Sequence, residues 1–155
     1  STVHRAIPID RESGKRACFY DPATTRFEVY EFWPSDLLPL FRQAGLPRRL
    51  PPPFLRDCSL EQQAATGVAP HIASPSEMIT YTLRADRLSE ERIPFEVVAD
   101  ADVKTLYWFV DNRLVGQGGA DKVFLWPAAA GDYVVSVLDD HGRAAEVRMQ
   151  VRLVN

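Results

Sequence analysis

With 46% hydrophobic and 25% charged residues in 155 positions, this chain has the composition of a folded domain of ordinary size and not of a disordered tail. A net charge of −3, with Lys and Arg scattered along the chain, argues against a nucleic-acid binder. No apolar run approaches the roughly 20 residues that cross a bilayer, so no membrane contact by this stretch is expected.

The chain opens S-T-V-H-R-A-I, without an initiating Met or an apolar leader core. It therefore reads as a piece of a longer protein whose export signal or anchor would lie upstream. Residues 3–9 alternate loosely and predict a strand, 11–14 a turn, 15–20 a returning strand and 27–33 a third. These are too few to enclose a core. They suggest a hairpin leaning on the downstream chain, or the edge of a larger sheet. Ser35 is placed to N-cap a short helix that Gly45 would close, with Leu37, Leu40 and Phe41 as its apolar face.

L-P-R-R-L-P-P-P-F comes next, and its prolines exclude a helix interior or a central strand. It predicts an extended, semi-rigid connector, a reading preferred over a PxxP ligand for an aromatic groove. Residues 57–65 add a helical turn. The domain boundary falls here, giving residues 1–56 as a leading segment with linker and 57–155 as a second domain.

From Val68 short apolar runs recur between turn residues, the pattern of an all-β protein. Ile93, Phe95 and Val97 share one face. Leu106, Trp108 and Val110 share another, with Tyr107 and Phe109 pointing the opposite way. Asp111-Asn112 is a two-residue hairpin signal, since both residues tolerate positive φ. Residues 123–126 predict a strand stopped by Pro127. Tyr133, Val135 and Val137 alternate, 139–142 turns, and Val147, Met149, Val151 and Leu153 alternate with charged or polar neighbours in a last strand with one wet face. About seven strands over roughly the last 90 residues predict an immunoglobulin-like β-sandwich, with a barrel as the alternative.

Chemistry is sparse. His4, His71 and His141 lack partners at metal-ligand spacing, so neither metal nor cofactor is expected. Asp139, Asp140 and His141 read as a hairpin turn, and Asp100 and Asp102 as solvated turn residues in preference to calcium ligands. G-Q-G-G lies between strands and leads to no helix, so it is no phosphate loop. Nucleophile motifs are missing: there is no G-x-S-x-G, and no Ser with Lys at +3. The stretch is not expected to be an enzyme by itself. Tyr107, Phe109 and Trp126 are the candidate contacts for a glycan or protein partner, against the general tendency of strand aromatics to pack inside. Cys18 and Cys58 allow one disulfide or two unrelated thiols.

Several stretches carry a family resemblance. I-A-S-P, L-Y-W-F-V-D-N-R-L-V-G, F-L-W-P and G-D-Y-V-V-S-V-L-D-D-H-G-R-A-A, over roughly residues 68–154, resemble the C-terminal domain of bifunctional penicillin-binding proteins of the 1C type. Upstream, I-D-R-E-S-G-K-R-A-C, F-W-P-S-D-L and A-G-L-P-R-R-L-P-P-P followed by a Cys are similar to the tail of the transpeptidase domain and its junction with that C-terminal domain. The resemblance implies a periplasmic peptidoglycan synthase anchored in the inner membrane, with its glycosyltransferase and transpeptidase sites upstream of residue 1. No catalytic residue carries over. It implies a non-catalytic accessory module that docks on the transpeptidase domain of the same chain or recruits a periplasmic α2-macroglobulin-like protein, with peptidoglycan binding as the alternative. A periplasmic setting favours pairing of Cys18 with Cys58.

Overall fold

The computed structural model describes residues 3–155. A leading hairpin pairs β1 (His4–Asp10) with β2 (Thr25–Glu31) in antiparallel register, Ile7 opposite Glu28. One face buries Ile7 and Ile9 together with Phe32, beside half-buried Tyr30. The returning strand expected over 15–20 does not form. Arg16 makes one bridge to Ile9 and another to Phe54, its N–H donating to Pro53 O and its O accepting from Leu55 N. The proline-rich connector thus takes the place of a strand beside this segment.

Helix α1 (Leu38–Gln43) is one short piece with Pro39 in its first turn. Gly45, at φ 69°, closes it: Gly45 N–H donates to Arg42 O and Leu46 N–H to Phe41 O, the paired bonds of a Schellman motif. Ser35 does not cap it. The helix starts at Leu38 behind Leu37, and Ser35 is buried elsewhere, exchanging two bonds with Ala99 (Ser35 N to Ala99 O 2.9 Å, Ala99 N to Ser35 Oγ 2.8 Å). Leu40 is exposed, and Leu37 and Phe41 are half-buried, Phe41 tilting against Trp33 at 4.9 Å. Helix α2 (Leu60–Ala64) begins with a full capping box: Gln62 N–H donates to Ser59 Oγ, and Ser59 N–H donates to Gln62 Oε1.

The remaining chain forms a two-sheet sandwich. Its strands are β3 (His71–Ser74), β4 (Ile79–Arg84), β5 (Arg92–Val98), β6 (Leu106–Val110), β7 (Arg113–Gly118), β8 (Phe124–Pro127), β9 (Gly131–Asp139) and β10 (Ala144–Val154). One sheet has the order β4-β10-β9-β6-β7 and the other β3-β5-β8. Only β4 and β10 pair in parallel among the sandwich strands described. The β6–β7 turn places Asp111 at φ 49° and Asn112 at φ 65°, two successive positive values as a type I′ turn requires. The core is the alternating set Ile93, Phe95, Val97, Leu106, Trp108, Val110, Val135, Val137, Met149 and Val151. Phe95 is its centre, 5.3 Å from the Trp108 ring, 5.8 Å from Phe124 and 5.9 Å from Trp126. Leu153, expected inside, is exposed near the end of β10, opposite Leu83 of edge strand β4.

Candidate functional site

Two features stand out beyond the core: a buried ionic junction between residues 3–64 and the sandwich, and an open face on the five-stranded sheet. The junction is built from two turns at one end of the sandwich. The loop from β5 to β6 supplies Asp100 and Asp102, and the turn from β9 to β10 supplies Asp139 and Arg143. The leading segment contributes Arg5 and Arg16. Arg143 Nη2 lies 2.6 Å from Asp102 Oδ1, and Arg143 Nη1 lies 3.6 Å from Asp100. Arg143 Nε stands 2.8 Å from Asp139 Oδ2 as an ion pair, and among the described residues neither atom has a hydrogen-bond partner. Arg16 Nη1 donates to Asp102 Oδ2 at 3.0 Å, and Arg5 Nη1 to Asp100 Oδ2 at 2.8 Å. Asp100 Oδ2 also accepts from Val68 N–H, and Asp139 Oδ1 from the N–H groups of His141 and Arg143.

Asp100 and Asp102 are therefore not solvated turn residues. Their side chains are 2% and 4% exposed because arginines approach them from two parts of the chain. Burial is the largest influence on Arg16 and lowers its pKa, against the opposing charge of Asp102. Burial also pulls hardest on Arg143, but the hydrogen bond to Asp102 and the charges of Asp102, Asp139 and Asp100 together outweigh it and raise the pKa. Three guanidinium groups thus meet three carboxylates, the pairing that burial of such charges requires. Gly67, at φ 73°, makes room for this arrangement: a Cβ there would run into the Arg143 guanidinium.

Further links fasten the two parts. Cys18 and Cys58 are joined by a disulfide, with Cα atoms 5.8 Å apart. The guanidinium of Arg16 sits 4.4 Å over the Phe54 ring, and Phe54 meets His141 edge-on at 5.2 Å. A cleft of about 490 Å³ opens beside them, lined in part by Pro53, Phe54, Gln63, Lys104, Asp140 and His141.

On the sandwich, β6 sends Leu106, Trp108 and Val110 into the core and leaves Tyr107 and Phe109 half-buried on the other face. Across the sheet, Tyr107 lies between Leu138 and Gln117, and Phe109 between Ser136 and Leu114, which is exposed. Trp126 does not join them. It is buried, stacked near Phe95 and meeting Tyr133 edge-on at 4.9 Å, so the contact expected of it with a glycan or partner has no open ring face. G-Q-G-G has a packing explanation: a Cβ on Gly116 would come within 2.6 Å of the Phe124 ring. Among the described residues no group of three or more His, Cys, Asp or Glu is arranged to hold a metal ion. Among the same residues no helix is long and apolar enough to cross a membrane.

Sequence reasoning missed the junction arginines and the capping box. The box was visible as S-L-E-Q, and D-x-x-x-R over 139–143 offered a weak signal of a paired turn.

No curated protein matches the chain. Among solved structures, it is similar to the fibronectin(III)-like modules of Clostridium thermocellum CbhA at 17% identity, covering 56% of this chain and 99% of that one with a TM-score of 0.44. It is also similar to SGBP-B of the Bacteroides ovatus mixed-linkage glucan utilization locus, solved in complex with a mixed-linkage heptasaccharide, at 18% identity and a TM-score of 0.38. That match covers 57% of this chain and 25% of the other. The Penicillin-Binding Protein C-terminus Family matches residues 59–149, from the N-cap of α2 through most of β10. With more than half its length inside that match, the chain belongs to the Penicillin-Binding Protein C-terminus Family.

Proposed function

We propose that this chain is a non-catalytic interaction module of a periplasmic peptidoglycan synthase, holding a fixed position against the catalytic part and presenting the sandwich to an envelope protein. The observation that carries this reading is the junction. Arg5 and Arg16 of the leading segment reach the buried carboxylates Asp100 and Asp102, and the Ser35–Ala99 exchange and the Cys18–Cys58 disulfide reinforce the link. A flexibly tethered domain needs none of these. Their presence supports a sandwich whose orientation relative to the preceding chain matters. The disulfide suits an oxidising compartment, and the transpeptidase domain of the same chain and a periplasmic α2-macroglobulin-like protein are the partners this reading names.

The test is deletion of residues 68–155 from the parent synthase, with capture of envelope proteins by the purified chain from periplasmic extract. The reading expects defective cell-wall synthesis and recovery of a specific envelope protein. Normal synthesis together with empty capture rejects it.

A second reading, a peptidoglycan-binding module, rests on Tyr107 and Phe109, two half-buried aromatics on an open sheet face. Titration with muropeptides, followed by the fluorescence of neighbouring Trp108, checks it. Absence of any change at millimolar ligand, or the same response in Tyr107→Ala/Phe109→Ala, removes it.

A further inference from the structure

The cleft beside the junction takes one wall from each part of the chain. The connector gives Leu50, the prolines at 51–53, Phe54 and Arg56. The loops at the facing end of the sandwich give Lys104, Asp140 and His141. Its space of about 490 Å³ lies within the range of about 300–1,000 Å³ that ligand sites occupy. Neither part has this cleft alone. It exists because the connector is fixed in place: Arg16 N–H donates to Pro53 O at 2.9 Å, Leu55 N–H donates to Arg16 O at 2.8 Å, and the Phe54 ring meets both the Arg16 guanidinium and His141. A cleft with such fixed walls costs a ligand little ordering of the protein.

The chemistry of the walls selects the ligand. Arg56 and Lys104, one on each wall, are exposed, and neither side chain has a hydrogen-bond or ion-pair partner among the described residues. Asp102 is neutralised inside the junction by Arg16 and Arg143. Asp140 is the remaining carboxylate of the cleft, and it already accepts from Lys104 N–H at 3.3 Å. The cleft therefore carries an excess of positive charge and suits an acidic ligand. Prolines have no N–H, so the connector wall cannot cradle a phosphate as a run of backbone N–H groups does. It offers apolar surface instead.

We propose that this cleft is a composite docking site for an extended segment of a partner protein that carries acidic side chains among apolar ones. This rests on the reading of the chain as an interaction module and adds where, and by what chemistry, the partner binds. Apolar side chains of the segment lie along Leu50, the prolines and Phe54, and its carboxylates reach Arg56 on one wall and Lys104 on the other. The clamp between the two parts thereby acquires a use, because it holds the two cations at a fixed separation.

The test titrates the ¹⁵N-labelled full chain with a defined probe, the peptide acetyl-Leu-Glu-Leu-Glu-Leu-amide, and with its neutral form in which Gln replaces Glu. Amide signals from 50–56, 101–104 and 140–141 are expected to shift together, and the neutral peptide is expected to bind about ten-fold more weakly. Arg56→Gln and Lys104→Gln should each weaken the acidic peptide about three-fold with an unchanged urea midpoint, since both side chains are exposed. No shift at millimolar probe, shifts confined to another face, equal binding of the two peptides, or an effect of only one substitution overturns the proposal. Muropeptides that shift the cleft signals more strongly than the acidic peptide assign the cleft to the cell wall and overturn the protein partner. Cleft shifts on raising the chain concentration alone assign it to a second copy, with the same consequence. Capture from periplasmic extract separates this proposal from the reading it rests on. A partner recovered equally by wild type and by Arg56→Gln/Lys104→Gln leaves the module standing and rejects the cleft. Empty capture by wild type, with the acidic peptide bound in the cleft, rejects the module and leaves the cleft an acidic-peptide site.

Discussion

Arg143 carries more of this molecule's organisation than any other side chain at the junction. It is 3% exposed and touches carboxylates from two turns, Asp100 and Asp102 on one side and Asp139 on the other. Removing one member of a buried ionic set leaves its partners charged and dry, which costs about 3–5 kcal/mol. Arg143→Met should therefore destabilise by about that amount in urea unfolding despite its similar volume. A loss under about 1 kcal/mol would mean that water enters and the carboxylates are not truly buried. A second residue, Glu31, gives a pH dependence. Glu31 accepts from Trp33 Nε1 at 2.7 Å and from Arg49 N–H at 3.0 Å, and Arg48 stands 3.3 Å away. The Trp33 hydrogen bond, then that of Arg49, holds the Glu31 carboxyl below its ordinary value. The folded state thus binds this proton less readily than the unfolded chain. The stabilisation is complete above the ordinary carboxyl range and is lost as pH falls through the lowered folded value. Trp33 fluorescence followed in acid should show this transition in the wild type and not in Glu31→Gln. Neither arginine network was legible in the sequence. Asp100 and Asp102 looked like any acidic turn, because the residues that make them interior, Arg5, Arg16 and Arg143, are distant in the chain, and periodicity reports only local neighbours.

At the scale of elements, local chemistry was readable where it was self-contained. Asp111-Asn112 specified its own I′ turn, Gly45 its own helix stop, and the alternation Leu106, Trp108, Val110 its own buried face. Legibility failed where a distant element competed for a residue. Ser35 has the chemistry of an N-cap, yet its Oγ is taken by Ala99 N–H. The segment 15–20 has strand-like residues, yet Arg16 pairs with both Ile9 and Phe54 and the run goes no further. Gly116 is a contact of this kind that can be tested. It sits where β6 and β7 shift register between Trp108 and Phe109, and the Phe124 ring of the other sheet lies against it. Filling such a space displaces an aromatic from a packed core, at about 1–3 kcal/mol. Gly116→Ala should lower the urea midpoint accordingly, while Gly118→Ala, which meets only the flexible side chain of Lys122 at 3.9 Å, should change it little. Equal effects at the two positions would mean that backbone freedom, not the close approach of Phe124, explains the glycines.

The molecule as a whole behaves, on these contacts, as a sandwich with a leading segment clamped to it. The family resemblance supplied the place of the sandwich in the chain, and the alternating strands supplied the sandwich itself. What neither could supply is that the two parts share a buried interface, since the proline-rich run reads as a spacer wherever it goes. The disulfide offers a way to ask how much of the clamp is chain topology. Cys18 and Cys58 are 40 residues apart, and closing a loop of that size restricts the unfolded chain by about 4 kcal/mol on the entropic account. Most of what the bridge encloses is the leading segment and connector, while the sandwich core of Phe95, Trp108 and Val137 lies outside the loop. Cys18→Ser/Cys58→Ser should therefore act unevenly. Amide exchange should speed up across β1, β2 and the connector, and the strands β5, β6 and β9 should keep most of their protection. If protection falls equally everywhere, the leading segment and the sandwich fold as one cooperative unit, and the junction is as much a part of the core as Phe95. If nothing changes, the six charges and the Ser35–Ala99 exchange are sufficient to hold the segment, and the bridge adds only resistance to full unfolding. The uneven outcome is expected because the leading segment is joined to the sandwich mainly by ion pairs and hydrogen bonds, whereas the sandwich is held by apolar burial.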